Sequence, residues 1–514
     1  MEIGKPKPKK ISKEAFPEIL KERMSRREAL STGAKIGIAA AIAAIVAGVG
    51  GYFGGVSTAP TRVATQTITQ PAQTITQEAQ TITQTVIKTE TLAAQTVTQT
   101  ITQPAQTITV TQIITGTPAK VPVPSEPLRF GVMGFQTGSF APASIAGMNA
   151  ARIWADWVNQ AGGILGRKVE LIFEDETGPV DVRKERFTKL TVEKKVDAII
   201  GTTATSTGLA FGPLAEQLQQ IWISWDATTQ QGLEETLPNP TYAFKSINNE
   251  AESVAGAVLT ARFFPDIRTV AGINDDYSYG RNNLEAFMAI LKRFNPKVEL
   301  VKELWPKPEG TDYTSEIATL KATKADLIHS SFWSGHATIF IRQANAVGLF
   351  KDSKAALVTA GGVLPTLKKD FTPEGLLIGC NSWYFLEPRG WPLREAFVNE
   401  YVKRYNEFPV YECDHAFFSF QAYKAAVERA YEIKGSWPTK EEIAKQLTQV
   451  TVPSLSGYRS FREDHVMLTS FWQGLSKHSP DYDFIILDPV ISVPPEKLQP
   501  PPGMKFHDWV KTWA

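Results

Sequence analysis

The sequence predicts an α/β protein of two doubly wound lobes with a ligand cleft between them, preceded by an apolar transmembrane or signal helix and a disordered stalk. Three observations carry that prediction. From residue 128 onward, short apolar runs alternate with amphipathic helical segments, and such a βαβα rhythm builds parallel sheets with helices on both faces. There are more strands than one compact lobe holds, so two are expected. Upstream, residues 36–61 carry no charge, and residues 60–125 are rich in Thr and Gln with scattered prolines. The boundaries that follow are 1–57 for a basic head and anchor, 58–125 for the stalk and 126–514 for the body.

The 514 residues are 43% hydrophobic and 21% charged, the balance of a largely globular chain. A net charge of +1 argues against a nucleic-acid partner, which needs a basic face to neutralise phosphates.

Residues 1–35 hold ten Lys or Arg against five Glu, and the uncharged run IGIAAAIAAIVAGVGGYF follows at 36–53. Its 18 residues are long enough to cross a hydrocarbon core as a helix. It is apolar all round, whereas a core helix of a globular protein shows a stripe. The flanking charge places the N-terminus in the cytoplasm and everything beyond residue 53 outside. SRREAL, at 25–30, resembles a twin-arginine export signal, with Ala29 near the place where that pattern has a bulky apolar residue. No cysteine follows the run, so a lipoprotein anchor is not expected. Cleavage near 57–59 is one outcome; an uncleaved anchor suits the stalk that follows better.

The stretch TQTITQPAQTIT occupies 65–76 and recurs letter for letter at 98–109. Ile68, Ile75 and Ile82 recur every seven residues, as do Ile101 and Ile108. A coiled coil needs two apolar positions per heptad over several heptads. Here there is one, with Pro71 and Pro104 inside and poor helix formers around them. The expected state is an extended stalk that buries too little apolar surface to fold. Its threonines also suit O-glycosylation.

In the body, LRFGVMGF from residue 128 is a strand that ends in a Gly/Thr/Ser loop. Ile145, Met148, Ala151 and Val158 then mark the inner face of a helix that stops at Gly162 and Gly163. Strand VELIFEDE, helix DVRKERFTKLTVEKK and strand VDAIIG follow, then a helix near 214–219 and strand IWISW. The alternation continues through RTVAGIND, YGRNNLEAFMAILKRF, VELVKEL, TSEIATLKAT, DLIHSSF, ATIFIRQANAVGL and AALVTAG. Strand GLLIGC and helix CDHAFFSFQAYKAA come next, and the proline-rich, aromatic C-terminus is expected to wrap over one lobe.

Several of these segments carry a family resemblance. NQAGGILGRKVELIFED is the most specific, and VDAIIGTTATST, ISWDAT, INDDYSYGR, GTDYTSEIATLKATKADLI and IRQANAVGL follow it in order. Together the chain from about residue 128 resembles the solute-binding proteins of branched-chain amino-acid ABC importers, which are type 1 periplasmic binding proteins. The resemblance implies two lobes joined by three crossing segments: an N-lobe of about 128–247 plus 383–455, and a C-lobe of about 248–379 plus 456–514. It implies capture of a small solute, with an ABC permease and ATPase as partners, on the extracytoplasmic face of the membrane. A monomer is expected, with no catalysis and no cofactor.

In doubly wound lobes ligands bind beyond the carboxyl ends of the strands. Thr205 and Ser206 stand where a helix should start after VDAIIG, a place for a carboxylate, although plain capping is the simpler role. Thr205 matches the family's carboxylate-binding hydroxyl. In SWDATT the family's ligand positions fall on Asp226 and Thr228. Tyr279 matches the tyrosine that lines the cleft from the second lobe, and Trp333 or Ser334 matches a further aromatic. Asp275, Asp276 and Tyr277 read as solvated loop or hinge-side residues, with ligand contact by one of them the lesser alternative. One departure stands out: where amino-acid binders place an acid for the ammonium, this chain has Gly361. Either Asp226 substitutes, or the ligand is an amide, a urea-like compound or an aromatic carboxylate.

Cys380 and Cys413 are candidates for a disulfide outside the cell. An enzyme is the main rival class, but no GxSxG, HExxH, P-loop or GxGxxG motif is present. The six histidines, His329, His336, His415, His465, His478 and His507, show no metal-ligand spacing. A membrane-tethered sensor is the second rival, disfavoured by the short head.

Overall fold

The computed structural model describes residues 123–514 except 248, 309, 381, 383–390, 469, 502 and 514, together with the backbone of 24–25, 95–103 and 106–114. The chain divides into two compact units, one of Met1–Leu30, Pro124–Ala430 and Pro438–Ala514, the other of Ser31–Val123 with Tyr431–Trp437.

In the first unit, five strands form a wholly parallel sheet: β1 (Leu128–Gly134), β2 (Val169–Asp175), β3 (Ala198–Gly201), β4 (Trp222–Ser224) and β5 (Ala243–Lys245), in the order β2-β1-β3-β4-β5. All four residues of β3 are buried, as a parallel strand covered on both faces requires. The covering helices are α1 (Ala141–Gln160), α2 (Val180–Val192), α3 (Thr205–Gln217) and α4 (Gln230–Thr236).

Helix α5 (Asn249–Phe263) leads to the second sheet. Its strands β6 (Thr269–Ile273), β7 (Glu299–Leu304), β8 (Leu327–Ser330), β9 (Lys354–Leu357) and β10 (Leu377–Cys380) repeat the same parallel order, β7-β6-β8-β9-β10. Helices α6 (Ser278–Phe294), α7 (Thr314–Thr323), α8 (Ser334–Ala346) and α9 (Leu349–Asp352) connect these strands. Helix α6 buries Leu284, Phe287, Ile290 and Leu291 and carries Lys292 and Arg293 in its last turn, where cations complement the helix dipole.

Helices α10 (Pro392–Tyr405) and α11 (Tyr411–Lys434) then return toward the first sheet. Phe420 and Tyr423 of α11 pack edge-on against Phe130 of β1 at 5.2 and 5.1 Å. Trp154 of α1 donates to Gln421 at 3.0 Å. After α12 (Lys440–Leu447), β11 (Val450–Ser454) and β12 (Gly457–Ser460) form a hairpin. Strands β13 (Phe471–Lys477) and β14 (Ile486–Val493) add antiparallel to the β10 edge of the second sheet. Helix α13 (Phe506–Thr512) sets Phe506, Trp509 and Val510 into that sheet's core, so the C-terminus does cover one lobe.

Four expectations are corrected. Cys380 and Cys413 are not joined in a disulfide; the Cys380 thiol donates to the Ser382 carbonyl at 3.2 Å and that of Cys413 to the Ala146 carbonyl at 3.3 Å. Each thiol is buried against its own neighbours, as non-disulfide cysteines commonly are. Ile145 is 41% exposed, whereas Met148, Ala151 and Val158 are buried; the buried stripe of α1 runs through Ala143 and Gly147 instead. The helix expected near 214–219 begins earlier, at Thr205.

The fourth correction lies in the Thr/Gln-rich stretch, where Gln95–Gln103 and Gln106–Ile114 pair as an antiparallel hairpin. Alternating β-branched Thr, Val and Ile favour strands even where the stretch as a whole is poor in apolar residues. The apolar run 36–53 lies outside the described residues, and among the described residues no helix is long and apolar enough to cross a membrane. Met24–Ser25 pairs antiparallel with Val450 and Thr451, which places those two residues on the same side as the body.

Candidate functional site

Both sheets aim the carboxyl ends of their strands at one narrow cavity, lined by Thr203, Asp226, Glu252, Tyr277, Tyr279, Trp333 and Tyr411. Thr203 follows β3 and Asp226 follows β4. Tyr277 and Tyr279 follow β6, and Trp333 follows β8. Strand order reverses at β1/β3 in one sheet and β6/β8 in the other, so the cavity lies where doubly wound sheets open crevices. Glu252 comes from the first turn of α5 and Tyr411 from the first residue of α11.

The loops beside the cavity touch across the two sheets. The Phe140 and Trp333 rings stack at 4.2 Å. The Ser334 hydroxyl lies 3.3 Å from the Ala143 amide that donates to it and 3.3 Å from the Phe140 carbonyl that accepts from it. His336 Nε2 is 2.8 Å from Ser139 Oγ, and its Nδ1 is 3.2 Å from Asp275 Oδ1. The Gly335 amide donates to the Ser139 carbonyl at 2.9 Å. These contacts describe a closed clamp. Within it, Trp333 Nε1 donates to the Tyr277 hydroxyl at 3.2 Å, and the Tyr277 and Tyr279 rings stack at 5.8 Å.

The start of α3 is already occupied. The amides of Thr203 and Ala204 donate to the two carboxylate oxygens of Glu176 at 2.8 and 3.0 Å. Burial pushes the Glu176 carboxyl up to about 7, although those amides, the Thr207 hydroxyl and the Arg183 charge pull the other way. Arg183 in turn donates to Thr207 at 2.7 Å. The start of α4 repeats the device: the Gln230 and Gln231 amides donate to Glu250 at 2.7 and 2.9 Å.

Lys245, fully buried, donates to the Thr228 carbonyl. Burial lowers its ammonium to about 8, and the opposing carboxylates are Glu250 first, then Asp226, Glu252 and Glu234. Asp414 accepts from Ser382, Ser454, Ser456, the Leu455 amide and Arg459, and is held as a carboxylate below its ordinary range despite its burial. Glu412 differs from all of these. It is fully buried, neither of its oxygens has a hydrogen-bond partner, and burial followed by the Asp226 charge raises it well above the usual carboxylate range.

Of the eight residues expected to hold a ligand, Asp226, Tyr279 and Trp333 line the cavity. The other five are placed elsewhere. Thr205 is buried in the first turn of α3, and the Ser206 hydroxyl faces Arg183 at 3.4 Å. Thr228 lies at a φ of 80° with its hydroxyl against Gly208 of α3, where even an added Cβ would come within 1.4 Å. Ser334 is spent on the Phe140 loop. Gly361 packs on β10 so closely that a Cβ would meet the Gly379 carbonyl at 2.2 Å; no acidic side chain fits there.

Glu252, Tyr411 and Thr203 were missed as lining residues, and Tyr277, for which ligand contact is only the lesser expectation, also lines the cavity. Asp275 is buried rather than solvated, Tyr277 is half-buried at the cavity, and Asp276 is exposed and paired with Arg281. An acid at the start of a helix, as in NNEAES, reads first as dipole compensation, so only its position in space singles out Glu252. Among the described residues no group of His, Cys, Asp or Glu is arranged to hold a metal ion.

Residues 127–474 match the family model described as periplasmic binding protein. A Leu/Ile/Val-binding protein, BraC3, of Rhizobium johnstonii is 25% identical over 275 residues, covering 51% of this chain and 73% of the relative. A solved solute-binding protein of an ABC transporter from Rhodopseudomonas palustris, in complex with 3,4-dihydroxybenzoic acid, superposes with a TM-score of 0.62 at 19% identity, covering 71% of this chain and 97% of its own. The leucine-binding protein LivK of Thermotoga maritima superposes with a TM-score of 0.60 at 18% identity, covering 72% and 99%.

Proposed function

From the premise that this chain belongs to the periplasmic binding proteins, in their type 1, branched-chain amino-acid group, we propose that it captures one small solute between its two lobes and hands it unchanged to an ABC permease. The observation that carries the reading is the cavity walled by loops of both sheets, with Thr203 and Asp226 on one side and Tyr277, Tyr279 and Trp333 on the other. A solute that touches both walls only when the lobes are shut shifts an open–closed equilibrium toward closure. No chemistry on the solute is needed. The relatives' names bring leucine, isoleucine, valine and an aromatic acid to this chain as first candidates, with amides as the alternative.

The protein works as a monomer on the extracytoplasmic face, exported through its N-terminal segment and held near its permease by residues 36–53. A membrane crossing there requires Met24–Ser25 to part from Val450 and Thr451. Protease protection in sealed vesicles tests it: the head is shielded and the body cleavable if the segment spans. Capture is tested by thermal shift and small-angle scattering of the full chain. A ligand should raise the melting temperature and shrink the radius of gyration. A solute panel that changes neither, or turnover of any member, overturns the reading.

A further inference from the structure

We propose that the chain carries a second binding site, for an uncharged, largely apolar small molecule, in a cavity that lies beside the cleft and spans both lobes. The site is not the solute's, and its occupant acts on closure.

The cavity measures about 640 Å³, within the range of small-molecule sites. Among the described residues its lining shares no member with that of the cleft. Part of it belongs to the first lobe: Pro142, Ile145 and Ala146 from the start of α1, and Phe408 and Val410 from the turn between α10 and α11. The rest belongs to the second lobe, with Val363 and Pro365 from the 3-10 turn after β9 and Phe484 ahead of β14. The Phe408 and Phe484 rings meet edge-on at 5.5 Å, so the two lobes touch along this cavity. The 41% exposure of Ile145 finds its reason here: the residue lines the cavity instead of the core.

The charges around the cavity cancel. Arg342 and Lys368 line it together with Glu407 and Asp483. Lys368 is paired with Asp483 at 2.8 Å, and the Arg342 guanidinium lies over the Phe371 ring at 4.3 Å. Arg342, Glu407 and Asp483 are exposed, whereas Ala146, Val363, Phe408, Val410 and Phe484 are buried. Charge therefore sits at the rim and the floor is apolar. An anion drawn to Arg342 meets two acids in the same lining, and a cation meets two basic groups, so neither sign is favoured. A charged body on that floor loses its water without gaining a partner. An uncharged apolar one gains by burying its surface there.

The cavity is also coupled to the cleft. Gly362 lines it, and a Cβ at Gly362 would come within 2.7 Å of the hydroxyl of Tyr411, which lines the cleft. An occupant that touches both lobes favours the closed form. By reciprocity, whatever favours closure from this site also strengthens the hold on a solute in the cleft.

The test uses indole as the probe, titrated calorimetrically into the full chain, with indole-3-acetate and tryptamine as its charged counterparts. Indole should bind, raise the melting temperature and shrink the radius of gyration in small-angle scattering. It should bind at least about tenfold more tightly than either counterpart. Ile145→Glu should weaken indole binding by about tenfold or more. Because Ile145 is exposed, the melting temperature of that variant without indole should match the parent's. Ile145→Ser, which removes apolar surface without adding charge, should weaken binding in the same direction. No indole binding, a charged counterpart that binds as tightly, undiminished binding in both variants, or an unchanged radius each overturns the proposal. All of these outcomes are read without a cleft solute, so the site can fail while capture stands, and capture can fail while the site stands.

Discussion

The two walls of the cavity are built on the same topology and end in opposite chemistry. The loops after β3 and β4 offer backbone donors and buried carboxyls, and the donors around Thr203 are already engaged with Glu176. The loops after β6 and β8 offer rings: Tyr277, Tyr279 and Trp333. One wall is polar, with its Thr203 and Ala204 amides engaged by Glu176; the other is aromatic and closes by stacking on Phe140. The difference teaches that strand order decides where a crevice opens, while the few residues past each strand decide what it accepts. It also separates two kinds of buried acid. Glu176 is fixed by amides, whereas Glu412 is fixed by nothing but packing.

The largest effect is expected where the Glu176 contacts are broken. Glu176→Ala strands two buried amides and the Arg183 charge, and should cost roughly 2–4 kcal/mol in denaturant melts. A fall well under that range means water replaces the carboxyl without loss.

The next effect is a pH dependence. The folded Glu176 carboxyl titrates near 7, above its ordinary 4.5. A raised carboxyl favours the folded state most while protonated. Its stability contribution is therefore complete below about 4.5 and is lost as pH rises through about 7. Glu176→Gln should flatten the decline of melting temperature over that window. Glu234, raised to about 6, titrates in the same sense and sustains part of the decline. Identical slopes in parent and variant would mean that Glu176 does not titrate there.

On the aromatic wall, Trp333→Ala removes the Phe140 stack and one face of the cavity. Ligand affinity should fall about tenfold, a loss of about 1.4 kcal/mol, through weaker closure as well as lost contact. Trp333→Phe should recover part of it in the same titration. The smallest stability effect is expected at Glu412→Gln, under about 1 kcal/mol in melts, because no hydrogen bond is lost. A large destabilisation there would erase the contrast with Glu176.

Much of the architecture was legible in the chain. Buried parallel strands are continuous apolar runs such as AIIG, and amphipathic helices such as SYGRNNLEAFMAILKRF announce their inner face. Asp226, Tyr279 and Trp333 were singled out by loops past strand ends, where α/β sheets hold ligands, together with the family resemblance, and they line the cavity. Glu252 and Tyr411 were not, because they arrive from helix starts on segments far apart in sequence. Ile145 was misplaced by one helical face, and the hairpin at 95–114 escaped a reading that weighed composition over alternation.

The sequence by itself determined the two α/β lobes and the family, since hydrophobic periodicity and ordered motifs are properties of the chain. Tertiary structure alone decided which acids meet in one cavity, that Gly361 has no room for another, and that Glu176 fills the mouth of α3. The physical reason is that desolvation and charge pairing depend on distances between residues tens to hundreds of positions apart, and local pattern carries no record of them.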